Sequence, residues 1–296
     1  MKNIILDTDI GGDCDDAGAL VLLKTLCEEK KISLNAVTSC TTMEGAEHTI
    51  ASVLAYYGMK VPIGIMHGEP FMCEGDFNRY ARQIKQEFGA APETEDAIRL
   101  LRRTLADTQG KTTIIAIGPQ RNLARFLASG PDDCSPLTGL QLAAEKVEEL
   151  VVMGGAFLPE EEATYFEDKN ISIEWNIEQD IPAAQKVADE WPTPVVYNPF
   201  EVGFDIETGR NLPAGSPARR CYDIRSGLTR ASWDPCAAYY GAVGCGELFS
   251  LSEKGRVSFD GRGYSVFTPA ENGLHRILTL RADKRAVEEE LDRLMR

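Results

Sequence analysis

The sequence predicts an α/β protein with an open, mostly parallel sheet flanked by helices. Short continuous apolar runs of strand length alternate with segments whose apolar residues recur every three or four positions. Continuous apolar strands joined by helices are typical of a parallel sheet covered on both faces. No linker-like composition interrupts this order, so we expect a single domain over residues 1–296 with a Rossmann-like arrangement.

The first half of the chain follows this alternation closely. Strand-length apolar runs occupy residues 3–7, 33–39 and 61–65, and helical patterns occupy 15–30, 45–58 and 94–107. The first helix starts with Asp15 and Asp16, where the helix dipole favours acids. The second ends at Gly58, and the third begins at Thr94, which we expect to cap it. Residues 71–93 follow no period and predict an irregular segment.

The second half resumes the same order and then changes. Predicted strands lie at 112–118, 148–155 and 193–198, with helices at 122–129 and 181–190. Residues 263–269 and 275–282 are predicted to form a late strand pair, followed by a closing helix at 284–295. Residues 157–173 form a second irregular segment, and long irregular insertions in compact domains are often lids.

Composition and charge exclude several classes of protein. The formal net charge of −15 argues against nucleic-acid binding, which depends on clusters of lysine and arginine. The eight cysteines are scattered without a C-x-x-C pair, which predicts reduced thiols rather than a disulfide framework or a zinc site. The chain start lacks signal-peptide character, and no run reaches transmembrane length. We therefore expect a cytoplasmic protein with no membrane partner.

Five aspartates fall within ten residues directly after the first predicted strand: Asp7, Asp9, Asp13, Asp15 and Asp16. Carboxylates placed so close together repel one another, which predicts a positive partner for them. Helix capping explains Asp15 and Asp16 as ordinary first-turn acids, but it leaves Asp7 and Asp9 without an explanation.

Further polar groups follow other predicted strands. In an open parallel sheet, ligands bind beyond the carboxyl ends of the strands. Ile117 and Met153 close two strands and can offer backbone carbonyls there. Glu174 and Asn176 lie in an extended-looking stretch, where a period of two would place them on one face. Asp234 precedes a further helix that we expect to start near Pro235.

This donor set suits a hard cation. Carboxylates and carbonyls are the ligands of calcium, which accepts about six to eight oxygens in irregular geometry, with magnesium as the second choice. Zinc would require histidine or cysteine ligands, and the three histidines show no ligand spacing. His67 follows a strand and is better placed for a pocket than His48, while His275 reads as a strand residue.

The segment DTDIGGDCDDAGAL resembles the N-terminal signature of the inosine-uridine preferring nucleoside hydrolases, usually D-T-D-P-G-x-D-D-A. The resemblance continues in order through AIGPQRNLA, VVMGGAF, EWN with Asp180 after it, and WDPCAA. Each block is weak alone, but five in family order over residues 1 to about 240 are specific. The resemblance implies the nucleoside hydrolase fold, a homodimer or homotetramer, and a role in nucleoside catabolism and base salvage.

The resemblance also implies roles for particular residues. Calcium would be held by Asp9, Asp16, the Ile117 carbonyl and Asp234, with Asp15 as the general base on a calcium-bound water. Asp7 would support the site from behind these ligands. The substrate would be contacted by the catalytic and metal-binding acids and by ribose-binding groups: Asp15, Met153, Asn170, Glu174, Asn176 and Asp234. The reaction would be hydrolysis of the N-glycosidic bond of a ribonucleoside to free base and ribose.

The chain departs from the family pattern at three points. Two extra residues in GGDCDD add Asp13, which is either a substitute ligand or a loop acid. Ile10 stands where proline is common. Trp233 replaces a histidine that protonates the leaving base in part of the family. Trp233 could bind the substrate by stacking on the base and favouring its protonated form, or it could be a packed tryptophan at a helix start.

Three alternatives stay open at this point. The chain could hydrolyse another ribosyl substrate, or it could be an inactive calcium- or sugar-binding relative. A phosphatase of the haloacid-dehalogenase kind is a third alternative, because DTDIG resembles its D-x-D-x-T loop. That loop needs threonine or serine at the position occupied by Gly11. An acidic site also suits a neutral nucleoside better than a nucleotide phosphate.

Overall fold

A mixed sheet of eleven strands, counted over the described residues, forms the centre of the molecule. The structure is a computed structural model that describes residues 1–73, 79–157, 164–166, 169–171 and 173–296. Its strands are β1 (Lys2–Thr8), β2 (Ile32–Ser39), β3 (Ile63–Ile65), β4 (Thr94–Asp96), β5 (Thr112–Ala116), β6 (Val147–Met153), β7 (Thr164–Phe166), β8 (Lys169–Ile171), β9 (Val195–Asn198), β10 (Glu207–Thr208), β11 (Arg230–Ala231), β12 (Phe249–Leu251), β13 (Gly255–Phe259), β14 (Ser265–Pro269) and β15 (His275–Leu280).

Helices cover both faces of this sheet. They are α1 (Asp15–Glu28), α2 (Ala46–Tyr56), α3 (Arg79–Phe88), α4 (Ala97–Asp107), α5 (Arg121–Ala128), α6 (Gly139–Lys146), α7 (Trp175–Gln179), α8 (Ile181–Glu190), α9 (Phe200–Gly203), α10 (Pro217–Arg225), α11 (Trp233–Val243) and α12 (Lys284–Leu294). None of the helices in the described ranges combines the length and the apolar character needed to cross a membrane.

The order of the sheet is β14-β13-β15-β9-β6-β5-β1-β2-β3-β4, with β12 paired to β15. The strands from β4 through β1 to β9 and β15 are parallel. Strands β12, β13 and β14 pair antiparallel. The predicted mostly parallel sheet is therefore confirmed.

Alternate residues of the central strands pack against opposite helix layers. Ile4 and Leu6 of β1 belong to a core shared with α1, α2, α10, α11 and α12. Ile5 between them belongs to the core shared with α4, α5, α6 and α8. Each such fully buried side chain contributes roughly 1.5–3 kcal/mol. Burial on both faces explains why these strands are continuously apolar rather than alternating.

The chain direction in the sheet reverses at β1. From β1 the chain proceeds outward through β2, β3 and β4, and it then returns to place β5 on the other side of β1. Ligands of open α/β sheets bind at such a switch point, outside the carboxyl ends of the strands. The carboxyl ends of β1 and β5 lead directly to Asp9 and Ile117.

Three local predictions are wrong. Thr94 lies in β4 and does not cap the following helix, because Asp96 accepts the backbone N–H groups of Ile98 and Arg99 at 3.0 Å each. The segment 71–93, predicted to be irregular, contains helix α3. The two late strands do not pair with each other, since β14 pairs with β13 and β15 pairs with β9, β12 and β13.

The second segment predicted to be irregular, 157–173, contributes strands β7 and β8, which pair antiparallel. Its residues 158–163, 167, 168 and 172 lie outside the described residues, as do 74–78 of the first segment. All eight cysteines are described and free of disulfides, which agrees with the prediction of reduced thiols.

Candidate active site

Three acids from distant parts of the chain converge at the switch point of the sheet. Asp15 and Asp16 start helix α1, and Asp234 lies in the first turn of α11. Each offers a carboxylate oxygen, and the three oxygens lie within 4.8 Å of one another. All three residues are buried. The described residues therefore contain an acidic group that could hold a metal ion.

One backbone hydrogen bond joins the two sides of this group. The backbone N–H of Asp234 donates to Oδ2 of Asp15 at 3.0 Å, across 219 residues of sequence. Asp16 is oriented separately, because the hydroxyl of Thr8 donates to its Oδ1. The backbone N–H of Ile10 donates to that same hydroxyl oxygen at 3.1 Å, which fixes the Thr8 side chain. These contacts hold the carboxylates in place despite their mutual repulsion.

Burial and like charge raise the pKa of every acid in this group. For Asp16 and Asp234 the pKa lies well above the ordinary value, first because both are buried and then because other carboxylates lie close to them. Burial is also the main reason for the raised pKa of Asp15. A bound cation would reverse both effects by favouring the ionised forms. The donor set of buried carboxylates thus fits a hard divalent cation.

Asp9 follows β1 at the edge of the same group. It is not one of the three most closely spaced acids, but its charge raises the pKa of both Asp16 and Asp234. Gly118 lies against it, since a Cβ on Gly118 would stand 2.9 Å from the backbone nitrogen of Asp9. The peptide that joins Ile117 to Gly118 therefore lies beside Asp9, as a carbonyl ligand would require.

Asp7 lies behind these residues and is fully buried. Its Oδ1 accepts hydrogen bonds from the Thr38 hydroxyl at 2.5 Å and from Nδ2 of Asn122 at 2.8 Å. Its Oδ2 is buried and has no hydrogen-bond partner among the described atoms. Burial raises the pKa of Asp7 to about 7, despite these two donors. This placement matches the supporting position predicted for Asp7.

The inserted Asp13 points to arginine and not to the acidic group. Both of its oxygens lie 3.0 Å from Nε of Arg230, and Nη2 of Arg230 lies 2.5 Å from Oδ2. Arg225 approaches the same oxygen at 3.6 Å. Of the two roles considered for Asp13, these contacts favour the loop acid, because its carboxylate is already paired.

Glu174 and Asn176 meet the end of β6 through a helix start and not through an extended stretch. Glu174 caps α7, where its carboxylate accepts the N–H groups of Asn176 at 2.9 Å and Ile177 at 3.1 Å. The period-two argument for a shared face was therefore wrong. Nδ2 of Asn176 donates to the Met153 carbonyl at 3.2 Å. The charge of Glu174 contributes to the raised pKa of Asp9, so the two acids are close.

Trp233 is packed by side chains on both sides. Its indole N–H donates to the Phe200 carbonyl at 2.9 Å, and the two rings stack at 5.4 Å between centroids. The guanidinium of Arg230 lies 5.3 Å from the centre of the Trp233 ring. With 8% of the residue exposed, this packing favours the structural interpretation of Trp233 over base stacking.

The histidines lie away from the acidic group. His67 is exposed, contrary to its expected place near a pocket. Nδ1 of His48 lies 2.7 Å from the Ala90 carbonyl. Nδ1 of His275 accepts the N–H of Val257 at 2.8 Å at the start of β15, and strand starts lie at the opposite edge of the sheet. His275 is thus a strand residue, as predicted.

Asn170 lies in β8, where its backbone pairs with Tyr165. Its side chain lies outside the described residues, so its predicted ribose contact stays a prediction.

Two residues that contact the site were missed by the sequence reasoning. The hydroxyl of Tyr80, on α3, accepts the backbone N–H of Gly11 and donates to the Asp13 carbonyl at 2.6 Å. Arg230 pairs with Asp13 from the strand that leads into α11. Tyr80 lay in a segment read as irregular. The one available signal for Arg230 was its position four residues before Asp234.

Fold and site together define an α/β protein that gathers buried acids at the carboxyl edge of its sheet, where such folds bind small ligands. The family model of the inosine-uridine preferring nucleoside hydrolases matches residues 4–243. The chain belongs to this family. The predicted family and the predicted enzyme class, a nucleoside hydrolase among the glycosidases, are thereby confirmed.

Individual relatives are more distant. A pyrimidine-specific ribonucleoside hydrolase, RihA, of Salmonella paratyphi B is 28% identical over 235 residues, covering 72% of this chain and 67% of that protein. RihA of Salmonella agona is 29% identical over 167 residues, covering 52% of this chain and 48% of that protein. The second match thus spans about half the length of the relative.

Solved structures of low sequence identity share the fold. The inosine-uridine preferring nucleoside hydrolase from Bacillus anthracis is 20% identical, with a TM-score of 0.72 over 100% of this chain and 99% of that one. An inosine-guanosine nucleoside hydrolase is 16% identical, with a TM-score of 0.75 over the same shares of the two chains. These neighbours extend the fold match beyond residue 243, where the family model ends.

Proposed function

We propose that this protein hydrolyses the N-glycosidic bond of ribonucleosides in a calcium-dependent reaction and releases free base and ribose. The observation that carries the proposal is the convergence of Asp15, Asp16 and Asp234 within 4.8 Å at the switch point of the sheet. Membership of the nucleoside hydrolase family supports the reaction class. The hard-oxygen character of the site supports calcium before magnesium.

The residues that would hold calcium are Asp9, Asp16, Asp234 and the backbone carbonyl of Ile117. Calcium, when bound, supplies a positive charge that orients water and makes it more acidic. Asp9, Asp16 and Asp234 are negative and buried, so their charges would also favour the cationic sugar of an oxocarbenium-like transition state.

Asp15 is proposed as the general base. Its Oδ2 accepts the N–H of Asp234 at 3.0 Å, which fixes the orientation of the carboxylate toward the metal group. A carboxylate held in this way can take a proton from water as the water attacks the anomeric carbon. The same oxygens lie close enough to Asp234 and Asp16 to share a ligand with them.

Glu174, Asn176 and Met153 are proposed to bind ribose, with Asn170 as a further contact. Ribose offers hydroxyls, for which carboxylate and amide groups are matching partners. Glu174 is 2% exposed and is oriented by the N–H of Gly155 at 3.2 Å and by the start of α7. The carboxylates of this site favour neutral nucleosides over nucleotides, whose phosphate they would repel.

The site provides no histidine beside Asp234 among the described residues, because Trp233 occupies that position. We propose that Trp233 acts by shaping the pocket wall, since its indole N–H is bonded to Phe200. Base preference is left to experiment: the relatives are named for pyrimidine substrates, and the structural neighbours for inosine with uridine or guanosine.

The phosphatase alternative lacks support at its key position. Gly11 adopts φ +131°, and a Cβ there would stand 2.9 Å from the Met43 sulfur. A threonine, which the phosphatase loop needs at this point, would therefore be strained. Hydrolysis of another ribosyl substrate and catalytically silent binding of calcium or sugar are kept as outcomes of the test below.

The test is ribose release from a panel of uridine, cytidine, inosine, guanosine and inosine monophosphate. Each is assayed with the wild type and with Asp15→Asn, in calcium and in chelator. We expect at least one nucleoside to be hydrolysed in calcium only, with a loss of at least about 100-fold in Asp15→Asn, the scale of a general base. Inosine monophosphate should be a poor substrate.

The matched control is Asp133→Asn. Asp133 belongs to a second acidic group, Asp132, Asp133 and Cys134, but it is exposed and pairs with Arg99 at 2.6 Å. Its removal should leave turnover unchanged. Full activity in Asp15→Asn would refute the assignment of the base. Calcium binding with no release of base from any nucleoside would support the silent relative instead.

Four further predictions are carried forward as proposals. They are a cytoplasmic location, a homodimer or homotetramer, a single domain over residues 1–296, and the absence of nucleic-acid and membrane partners.

A further inference from the structure

The ion pair between Asp13 and Arg230 spans two segments that each carry acids of the proposed metal site. Asp13 belongs to the loop that leads into α1, two residues before Asp15. Arg230 starts β11, four residues before Asp234. The two residues are 217 positions apart in sequence. The segments are thus tied together beside the point where their acids meet.

The geometry of the pair is that of a strong contact. Nε of Arg230 lies 3.0 Å from both oxygens of Asp13, and Nη2 lies 2.5 Å from Oδ2. Only 11% of the Arg230 side chain and 25% of the Asp13 side chain are exposed. A fork-like arginine contact out of bulk water holds its geometry better than a surface ion pair.

Neighbouring contacts make the inserted loop stiff. The Asp13 carboxylate also accepts the N–H of Cys14 at 2.7 Å, and the Asp13 carbonyl accepts the Tyr80 hydroxyl at 2.6 Å. The sulfur of Cys14 lies 3.3 Å from the Ser226 hydroxyl. A pull on Asp13 is therefore transmitted through one rigid turn to Asp15.

We propose that the Asp13–Arg230 pair is a positioning device for the metal site. It ties the loop of Asp15 and Asp16 to the segment of Asp234, and so holds the three carboxylates at the spacing that a divalent cation needs. The carboxylates repel one another and would move apart if this tie were released. The two residues inserted in the loop are accommodated because Asp13 has its own arginine. This inference rests on the metal site of the proposed function.

Calcium affinity of the full chain, measured by titration calorimetry, tests the inference without use of turnover. The variants are Asp13→Asn, Arg230→Gln, their double mutant and Arg230→Lys. We expect each neutralising single variant to bind calcium about tenfold more weakly. The double mutant should bind no more weakly than the worse single, because both changes release the same tie. Arg230→Lys should recover part of the affinity.

Asp132→Asn is the matched control for loss of an ion pair. Asp132 is 29% exposed and makes a two-pronged contact with the buried Arg102, at 2.7 and 2.9 Å, away from the acidic site. Its replacement should lower the melting temperature while calcium affinity stays at the wild-type value. This control separates loss of stability from loss of positioning.

The outcomes divide clearly. Wild-type calcium affinity in Asp13→Asn or Arg230→Gln, additive losses in the double mutant, or no recovery in Arg230→Lys would each overturn the inference. A wild type that binds no calcium would overturn it as well. If the wild type hydrolyses no nucleoside but binds calcium, and the variants show the coupled loss, the positioning role stands while the proposed function fails.

Discussion

Replacing Asp7 by asparagine isolates the effect of one buried carboxyl on stability. Asp7 accepts two hydrogen bonds at Oδ1, from Thr38 and Asn122, and an asparagine oxygen can accept both. The substitution keeps the size of the side chain and removes its ability to ionise. Asp7 is not one of the proposed metal ligands, so the change leaves that set intact.

The magnitude follows from the pKa of Asp7. Burial raises this pKa from 3.8 to about 7 in the folded chain. Between these values the folded chain binds more protons than the unfolded chain, so stability falls as the pH rises and levels off above 7. Each pH unit corresponds to about 1.4 kcal/mol. From pH 5 to pH 8 the wild type should therefore lose about 3 kcal/mol through Asp7 alone.

The assay is urea unfolding followed by tryptophan fluorescence at pH 5, 6, 7 and 8 in chelator. Chelator is needed because a bound cation would favour the ionised carboxylate. Asp7→Asn should become more stable relative to the wild type by about 3 kcal/mol across this range, with most of the gain below pH 7. Taking the difference removes the titration of other acids, which both proteins share.

A difference between Asp7→Asn and wild type that stays constant from pH 5 to pH 8 would refute the reasoning. The control is Asp133→Asn. The pKa of Asp133 is lowered, chiefly by its hydrogen bond with Arg99, so this acid is ionised over the whole range in both states. Its replacement should shift stability equally at every pH tested.

Two more predictions concern the loops around the acids. Gly118→Ala should reduce calcium affinity and kcat/KM at least about tenfold, because its Cβ would stand 2.9 Å from the Asp9 backbone, which cannot yield cheaply; the measurements are calcium titration and steady-state kinetics, and wild-type values would contradict the placement of Ile117. Tyr80→Phe should lower the free energy of unfolding by about 2 kcal/mol, because the Gly11 N–H and the Asp13 carbonyl lose their shared partner; unchanged urea unfolding would show that these groups find other partners.

Several parts of the fold follow from local sequence alone. The apolar run of β1 and the helical repeat of α1 are decided by burial of side chains close in sequence, so their positions were predictable. The strand pairing of β14 and β15 was not, because β13 inserts between them through contacts distant in sequence. The extended reading of Glu174 to Asn176 failed because a side chain capped its own helix.

The site shows the same division. The crowded acids in DTDIGGDCDD predicted an acidic site from charge repulsion alone, and the aspartate of WDP could be assigned to it through the family resemblance. The partner of Asp13 could not be assigned, because nothing local distinguishes Arg230 from the other arginines of the chain. Tyr80 was equally hidden, since its role depends on a hydroxyl that bonds a loop 67 residues away.

The sequence by itself determined the type of fold and the residues able to bind a cation, since both depend on periodicity and on the chemistry of neighbouring side chains. Only the tertiary structure decided which acids come together, which one is neutralised by arginine, and how Trp233 is packed. Those outcomes depend on distances between residues more than 200 positions apart, such as Asp13 and Arg230 at 217. Contacts of that kind are set by the packing of helices on the sheet, which no local pattern contains.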